Sequence, residues 1–165
     1  MQNKTDRLVI GIDPGLASTG WGIVLAAGNR LTHLGHGVIE TSSKLDHQTR
    51  LVRIYESLVE VLDAWKPQEA GMETLYFAKN VTSALSVAEA RGVVTLALGL
   101  RGLPLGEYSP NEIKQAVSGS GRSEKKIVQE SVRLLLGLSS VPSPDHAADA
   151  LAAAITRIHT VPLRY

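Results

Sequence analysis

The sequence predicts an α/β domain in which a five-stranded mixed sheet, in the order βββαβαβααα, carries helices on both faces. Three observations carry that expectation. Leu8 to Asp13 reads LVIGID, a nearly continuous apolar run of the kind a strand buried on both faces requires. Two more strand-like runs follow with only glycine punctuation between them, which fits a meander. Apolar residues then recur at helical spacing and alternate with short strand-like runs, which calls for helical crossovers and parallel pairing.

Each element has its own signal. The second strand is expected over Trp21 to Ala26 and the third over Leu31 to Thr41, with Gly28-Asn29 as the hairpin turn. Leu51, Ile54, Leu58, Val61 and Leu62 define a helix that Pro67 stops. Gln68 to Thr74 is a short fourth strand, and a long helix runs from about Ala78 to Leu100. Leu103 to Tyr108 is the fifth strand, and its Pro104 suits a sheet edge. The remainder is helical: Pro110 to Val117, Ser123 to Leu136, and Pro144 to about Ile158. Ser123 is expected as an N-cap and Pro144 as a first-turn proline.

Composition bounds what such a domain does. The 165 residues, 44% of them hydrophobic, fit one compact domain spanning 1–165 with an ordered core of about 7–160. Seven aromatics leave little for a base-stacking surface, and the absence of cysteine excludes a disulfide scaffold, a thiolate zinc site and a Cys nucleophile. No run approaches the ~18 apolar residues needed to span a bilayer, so no membrane association is expected. The start, MQNKTDRLVIGIDPG, breaks for Asp6 and Arg7 where a signal peptide would be apolar; a cytoplasmic protein is expected. The net charge of +1 names no partner.

Four places carry possible chemistry. Asp13, in GIDPGLASTGWGIV, stands at the end of the first strand, where open α/β sheets build their sites. Asp-Pro-Gly is equally the composition of a type II turn; Ser18, Thr19 and Gly20, leading straight back into a strand, favour a tight wrap around something Asp13 holds. Glu73 ends an apolar strand that has no need of a charge. If that strand lies beside the first, Glu73 and Asp13 share one crevice and stay ionised only with a cation between them or a large pKa shift. In SPDHAADALAAAITR, His146 and Asp149 share a helix face, and Asp145 and Asp149 nearly do. The macrodipole accounts for Asp145 in a first turn but less well for His146 and Asp149 on an alanine-rich face. Three carboxylates and one imidazole suit Mg²⁺ or Mn²⁺ better than zinc, and two such ions would serve a phosphoryl displacement. The fourth place, SGSGRSEKK with Lys114, offers backbone amides and the charges of Arg122, Lys125 and Lys126. It reads as a phosphodiester cradle or as a plain helix–helix turn.

Taken together, GIDPGLASTGWGIV, ETLYFAKN followed by SALSVAEARGVV, SPNEIKQAVSGSGRSEKK and AADALAAAIT resemble the RuvC family of bacterial Holliday junction resolvases, over nearly the whole chain. The resemblance implies an RNase H-like fold and a homodimer that resolves four-way DNA junctions by paired symmetric nicks. It implies two divalent metal ions, Mg²⁺ or Mn²⁺, and ligatable 5′-phosphate and 3′-hydroxyl ends. It marks Asp13, Glu73 and Asp149 as catalytic, metal-binding acids. The family's fourth ligand, often an Asp, falls on His146, here expected as ligand or as the acceptor of the water's proton. Lys114 and Lys125 match basic positions near the scissile phosphate, Tyr76 matches an aromatic that stacks on a junction base, and Lys79, Arg122 and Lys126 are expected to touch DNA. A branch-migration motor (RuvA-RuvB) is the implied partner. Part of the long helix, with Val87, Val93, Val94, Leu96 and Leu98, is expected in the dimer interface. The alternatives are a nucleotide-binding ATPase or kinase using the GIDPG loop, and a junction-binding protein that does not cut.

Overall fold

The computed structural model describes residues 6–75 and 81–161. Its elements follow the expected order: β1 (Arg7–Asp13), β2 (Ser18–Ala27), β3 (Arg30–Glu40), α1 (His47–Trp65), β4 (Glu69–Glu73), α2 (Val81–Leu100), β5 (Leu105–Tyr108), α3 (Pro110–Ser118), α4 (Lys125–Leu135) and α5 (Asp145–Thr160). The sheet runs β3-β2-β1-β4-β5, so β1 is central and β5 is an edge. β1 pairs antiparallel with β2 and parallel with β4, which requires α1 as a crossover. Pro104 lies just before β5, and its carbonyl accepts the Ala70 amide at 2.9 Å, so the proline costs the sheet no donor.

Alternation along β1 divides the core in two. Leu8, Ile10 and Ile12 pack with Ile54, Leu58 and Leu62 of α1 and with Val94, Ala97 and Leu98 of α2. Val9 faces the other way, with Ile113 and Val117 of α3, Val132 of α4 and Leu151 and Ile155 of α5. By the same alternation Gly11 and Asp13 face α5, as do Glu69, Gly71 and Glu73 of β4.

That face determines how closely α5 can approach. A Cβ at Gly11 would collide with the Ala150 carbonyl oxygen, and one at Gly20 with the carbonyl oxygen of His146. Gly22 and Gly71 leave the same kind of room for Leu151 and for the Ala153 backbone. With Ala147, Ala148, Ala150 and Ala152 to Ala154 all buried, the helix lies almost directly on the sheet backbone. At the far end of β4, Glu69 is paired with Arg7 at 2.6 Å and with Arg157 at 2.8 Å, and Arg7 also donates to the Val161 carbonyl. This network ties the end of α5 to β1 and β4.

Three expectations need correction. α4 begins at Lys125 with Glu124 at the cap position; Ser123 is buried, and its hydroxyl accepts from Ser118 at 2.8 Å. A nearby hydroxyl outcompetes the helix end for it. Pro144 is the N-cap of α5, one residue outside its first turn. In α2, Val94 and Leu98 are buried against the sheet, so they cannot offer outer surface; Val81, Leu85, Leu96 and Leu100 are the exposed apolar residues there. By length and composition alone α2 is long and apolar enough to cross a membrane. The interruptions by Thr, Ser, Glu and Arg hide this when the sequence is read for unbroken apolar runs.

Candidate active site

Asp13 and Glu73 end neighbouring parallel strands on the same face of the sheet, one step beyond the paired residues Ile12 and Met72. α5 crosses them, and its first two turns supply His146 and Asp149. His146 Nδ1 lies 2.7 Å from Asp13 Oδ2. All four residues expected at the centre are therefore brought to one cleft.

The cleft is electrostatically unfavourable to its own acids. Burial raises the pKa of Asp13, and the hydrogen bond and charge of His146 only partly offset this. Glu73 is accessible at its strand end, yet the protein mass around its carboxyl group raises its pKa, and the charges of Asp13 and Asp149 raise it further. Asp149 is pushed up by burial and by Asp13, against the pull of Lys125. Three clustered carboxyl groups with raised pKa values mark a place that gains from an added cation. Their oxygen-rich chemistry fits a hard divalent ion such as Mg²⁺ or Mn²⁺. Among the described residues no three acidic or imidazole side chains already surround one point as a finished cage. Instead His146 rests on Asp13, and Lys125 stands 3.7 Å from Asp149.

Comparison with known proteins decides the lineage. The sequence profile described as "Crossover junction endodeoxyribonuclease RuvC" matches residues 9–157. The chain belongs to the RuvC family. It is 56% identical over 151 residues to the crossover junction endodeoxyribonuclease RuvC of Treponema denticola, covering 92% of this chain and 85% of that one. It is 51% identical over 146 residues to that of Thermotoga maritima, covering 88% and 87%. The structure of T. thermophilus RuvC in complex with a Holliday junction substrate superposes with a TM-score of 0.88 at 35% identity, covering 93% of each chain. The sheet and its flanking helices are thus the RNase H-like fold of RuvC.

Of the basic residues expected in this RuvC-family chain, two approach the acids. The charge of Lys114 on α3 acts on Glu73, and that of Lys125 on both Asp13 and Asp149. Arg122 and Lys126 are exposed, and Lys126 lines a separate groove with Ile127, Leu134 and Val141. Tyr76 and Lys79 lie outside the described residues. The glycine-rich stretch is closed on itself: Gly119 caps α3 at φ 80°, donating to the Gln115 carbonyl at 3.0 Å, and Gly121 N–H donates to Gln115 Oε1 at 3.2 Å. With these amides used internally, residues 119–123 form a helix–helix turn; α4 has no side-chain cap hydrogen bond at its start, so its first amides and the side chains of Arg122, Lys125 and Lys126 are what the stretch offers a phosphate.

Sequence reading missed several residues that hold the cleft in shape. Thr19 is fully buried, donates to the Gly15 carbonyl at 2.8 Å and accepts the Gly15 amide at 3.2 Å, which fixes the loop after Asp13. Thr41 donates from its hydroxyl to the Leu16 carbonyl and from its amide to Ala17, and Arg50 donates to the Thr41 hydroxyl at 2.9 Å. Arg91 of α2 donates to the Glu73 carbonyl and pairs with Glu107. Only the Ser18-Thr19-Gly20 sequence hinted at any of these, because each depends on a residue distant in the chain or on backbone carbonyls.

Proposed function

We propose that this chain binds four-way DNA junctions as a homodimer and cuts two opposing strands by metal-assisted phosphodiester hydrolysis. The observation that carries this is the convergence of Asp13, Glu73, His146 and Asp149 on one cleft at the ends of β1 and β4. In that reading Asp13, Glu73 and Asp149, with His146 where it serves as ligand, would hold two Mg²⁺ or Mn²⁺ ions. When bound, such ions would supply a water nucleophile and charge stabilisation for the displacement.

The chain's own residues do the rest. His146 hydrogen-bonds Asp13 through Nδ1 and so orients its carboxylate, which leaves the other ring nitrogen for one of two roles, ligand to a metal ion or acceptor of the water's proton. Lys125, exposed at the rim, donates to a non-bridging phosphate oxygen, while Lys114 and Arg122 hold the backbone of the strand. The products are 5′-phosphate and 3′-hydroxyl ends.

Dimer formation is assigned to the outward face of α2, where Val81, Leu85, Leu96 and Leu100 are exposed. A twofold dimer presents one cleft to each of two opposing strands of a twofold junction. Work on DNA junctions alongside a RuvA-RuvB motor, in the cytoplasm, follows from family membership alone.

The test is a synthetic four-way junction incubated with Mn²⁺ or Mg²⁺, with a linear duplex of the same sequence as control. Paired symmetric nicks that ligase seals are expected, and Asp13→Asn should abolish them. Tight binding without nicks in either metal, or ATP hydrolysis without DNA, would overturn the proposal in favour of a binding protein or an ATPase.

A further inference from the structure

Asp145, the first residue of α5, takes no part in the chemistry above, yet it makes two contacts across to α4. Lys125 Nζ lies 3.0 Å from Asp145 Oδ2, and Gln129 Nε2 donates to Asp145 Oδ1 at 3.2 Å. Lys125 and Gln129 are one turn apart on α4, so a single carboxylate clamps one face of that turn. The macrodipole explains an acid at the start of α5 but not why both side chains turn toward it.

The same ammonium stands 3.7 Å from Asp149 Oδ2. Two carboxylates therefore share one ammonium unequally, and Asp145, with the nearer oxygen, draws it away from Asp149. Both members of the Lys125–Asp145 pair are well exposed, so the pair is weak and readily exchanged. Were Asp145 absent, Asp149 would be the carboxylate nearest to the ammonium.

We propose that Asp145 is a positioning residue that keeps Lys125 at the rim of the cleft and off Asp149, leaving Asp149 to a divalent cation. The inference rests on the reading of Asp149 as a metal ligand. An ammonium seated on Asp149 is an internal competitor for that cation. Held by Asp145, it stays within reach of a phosphate beside Asp149 while standing 3.7 Å from that carboxylate, beyond direct hydrogen-bond distance.

The test is calorimetric titration of the full chain with MnCl₂ alone, without DNA, at physiological ionic strength. Asp145→Asn removes the charge but keeps an oxygen for Gln129. In the otherwise native chain it should weaken Mn²⁺ binding about three- to tenfold. In a Lys125→Met background the same substitution should change affinity by no more than about twofold, because the remaining field of an exposed charge is screened. Lys125→Met alone should bind Mn²⁺ at least as tightly as the native chain. Equal weakening in both backgrounds, or none in the native chain, overturns the inference: Asp145 would then act through its own charge or not at all. Asp149→Asn tests the reading beneath it and should lose binding. If it binds Mn²⁺ like the native chain, Asp149 is not a ligand and both readings fail; if it loses binding while the two backgrounds agree, only the role of Asp145 fails.

Discussion

His146 Nδ1 lies 2.7 Å from Asp13 Oδ2, joining the first turn of α5 to the last residue of β1 across 133 positions of sequence. The contact makes Asp13 more acidic than its burial alone would, and it fixes where α5 starts relative to the strand ends.

Removing the imidazole should therefore move Asp13. In His146→Ala the lowering influence is lost while burial stays, so the Asp13 carboxyl should ionise at higher pH than in the native chain. Carbon-13 NMR titration of the metal-free protein reads this directly. Junction cleavage should fall by about 10²-fold or more. His146→Asp, which restores an oxygen ligand at the same helical position, should recover most of the activity in Mn²⁺. An unmoved Asp13 titration would show that the contact is not formed in solution.

Glu73 offers a test of the acid cluster as a source of instability. Its pKa is raised by burial and by Asp13 and Asp149. A raised folded-state pKa means a contribution that favours the fold below the unfolded value and is lost as pH rises through the folded one. At pH 7–8 the ionised acid works against the metal-free fold. Glu73→Gln should then raise the metal-free melting temperature by about 1–3 °C, a small shift because solvent screens the accessible group. Near pH 4 the difference should vanish. Mn²⁺ should stabilise the native chain but much less the variant, and the variant should not cut junctions.

The sequence made Asp13 and Glu73 conspicuous because each is a charge ending an apolar strand, and period-two alternation is enough to place both on one face. The spacing in SPDHAADALAAAITR likewise put His146 and Asp149 on one side of a helix. Sequence reading could not supply the distance between those two pairs, because it depends on four glycines of three strands letting a helix lie on backbone. For the same reason the expected N-cap at Ser123 was misplaced: Ser118 engages its hydroxyl from the preceding helix, as Gln115 engages the amides of Gly119 and Gly121. The inward turn of Val94 and Leu98 was equally hidden, since α2 is apolar on both faces and periodicity does not single out the buried one.

Gly20 links packing to chemistry. A methyl group there would strike the carbonyl oxygen of His146, and Gly11→Ala would strike that of Ala150 a turn later. Both obstacles are backbone, so the helix as a whole must move. Each substitution should cost about 2–4 kcal/mol by urea denaturation, at the upper end for overpacking. Gly20→Ala should also depress cleavage at temperatures where the variant remains fully folded, because the shift falls on the turn that carries His146. Retention of full activity in a destabilised Gly20→Ala protein would show that α5 tolerates displacement from β2.

The outward face of α2 should decide the oligomeric state. Leu85 and Leu96 are each more than half exposed and are not part of the core. Leu96→Glu should therefore leave the melting temperature of the monomer nearly unchanged while shifting sedimentation from dimer to monomer. Cleavage should change from paired to uncoupled single nicks, which a supercoiled cruciform plasmid distinguishes as nicked circles in place of linear product. A Leu96→Glu protein that still sediments as a dimer would move the interface away from this face.

The Glu69 network predicts acid sensitivity remote from the cleft. Burial alone would raise the Glu69 pKa, but the hydrogen bond and charge of Arg7, with the charge of Arg157, hold it below the usual glutamate value. A depressed folded-state pKa gives stability that is present above the unfolded value and lost as pH falls through the folded one. Glu69→Gln should cost about 1.5–3 kcal/mol at pH 7, since it leaves two half-buried guanidinium groups without their carboxylate. That cost should shrink progressively below about pH 4.5, where the unfolded chain's glutamate takes up its proton, and be gone once native Glu69 is itself protonated at lower pH. Because Arg7 also holds the Val161 carbonyl, the loss should appear first as faster amide exchange in the last turn of α5. Cleavage at neutral pH should persist, because the network lies at the opposite end of β4 from Glu73.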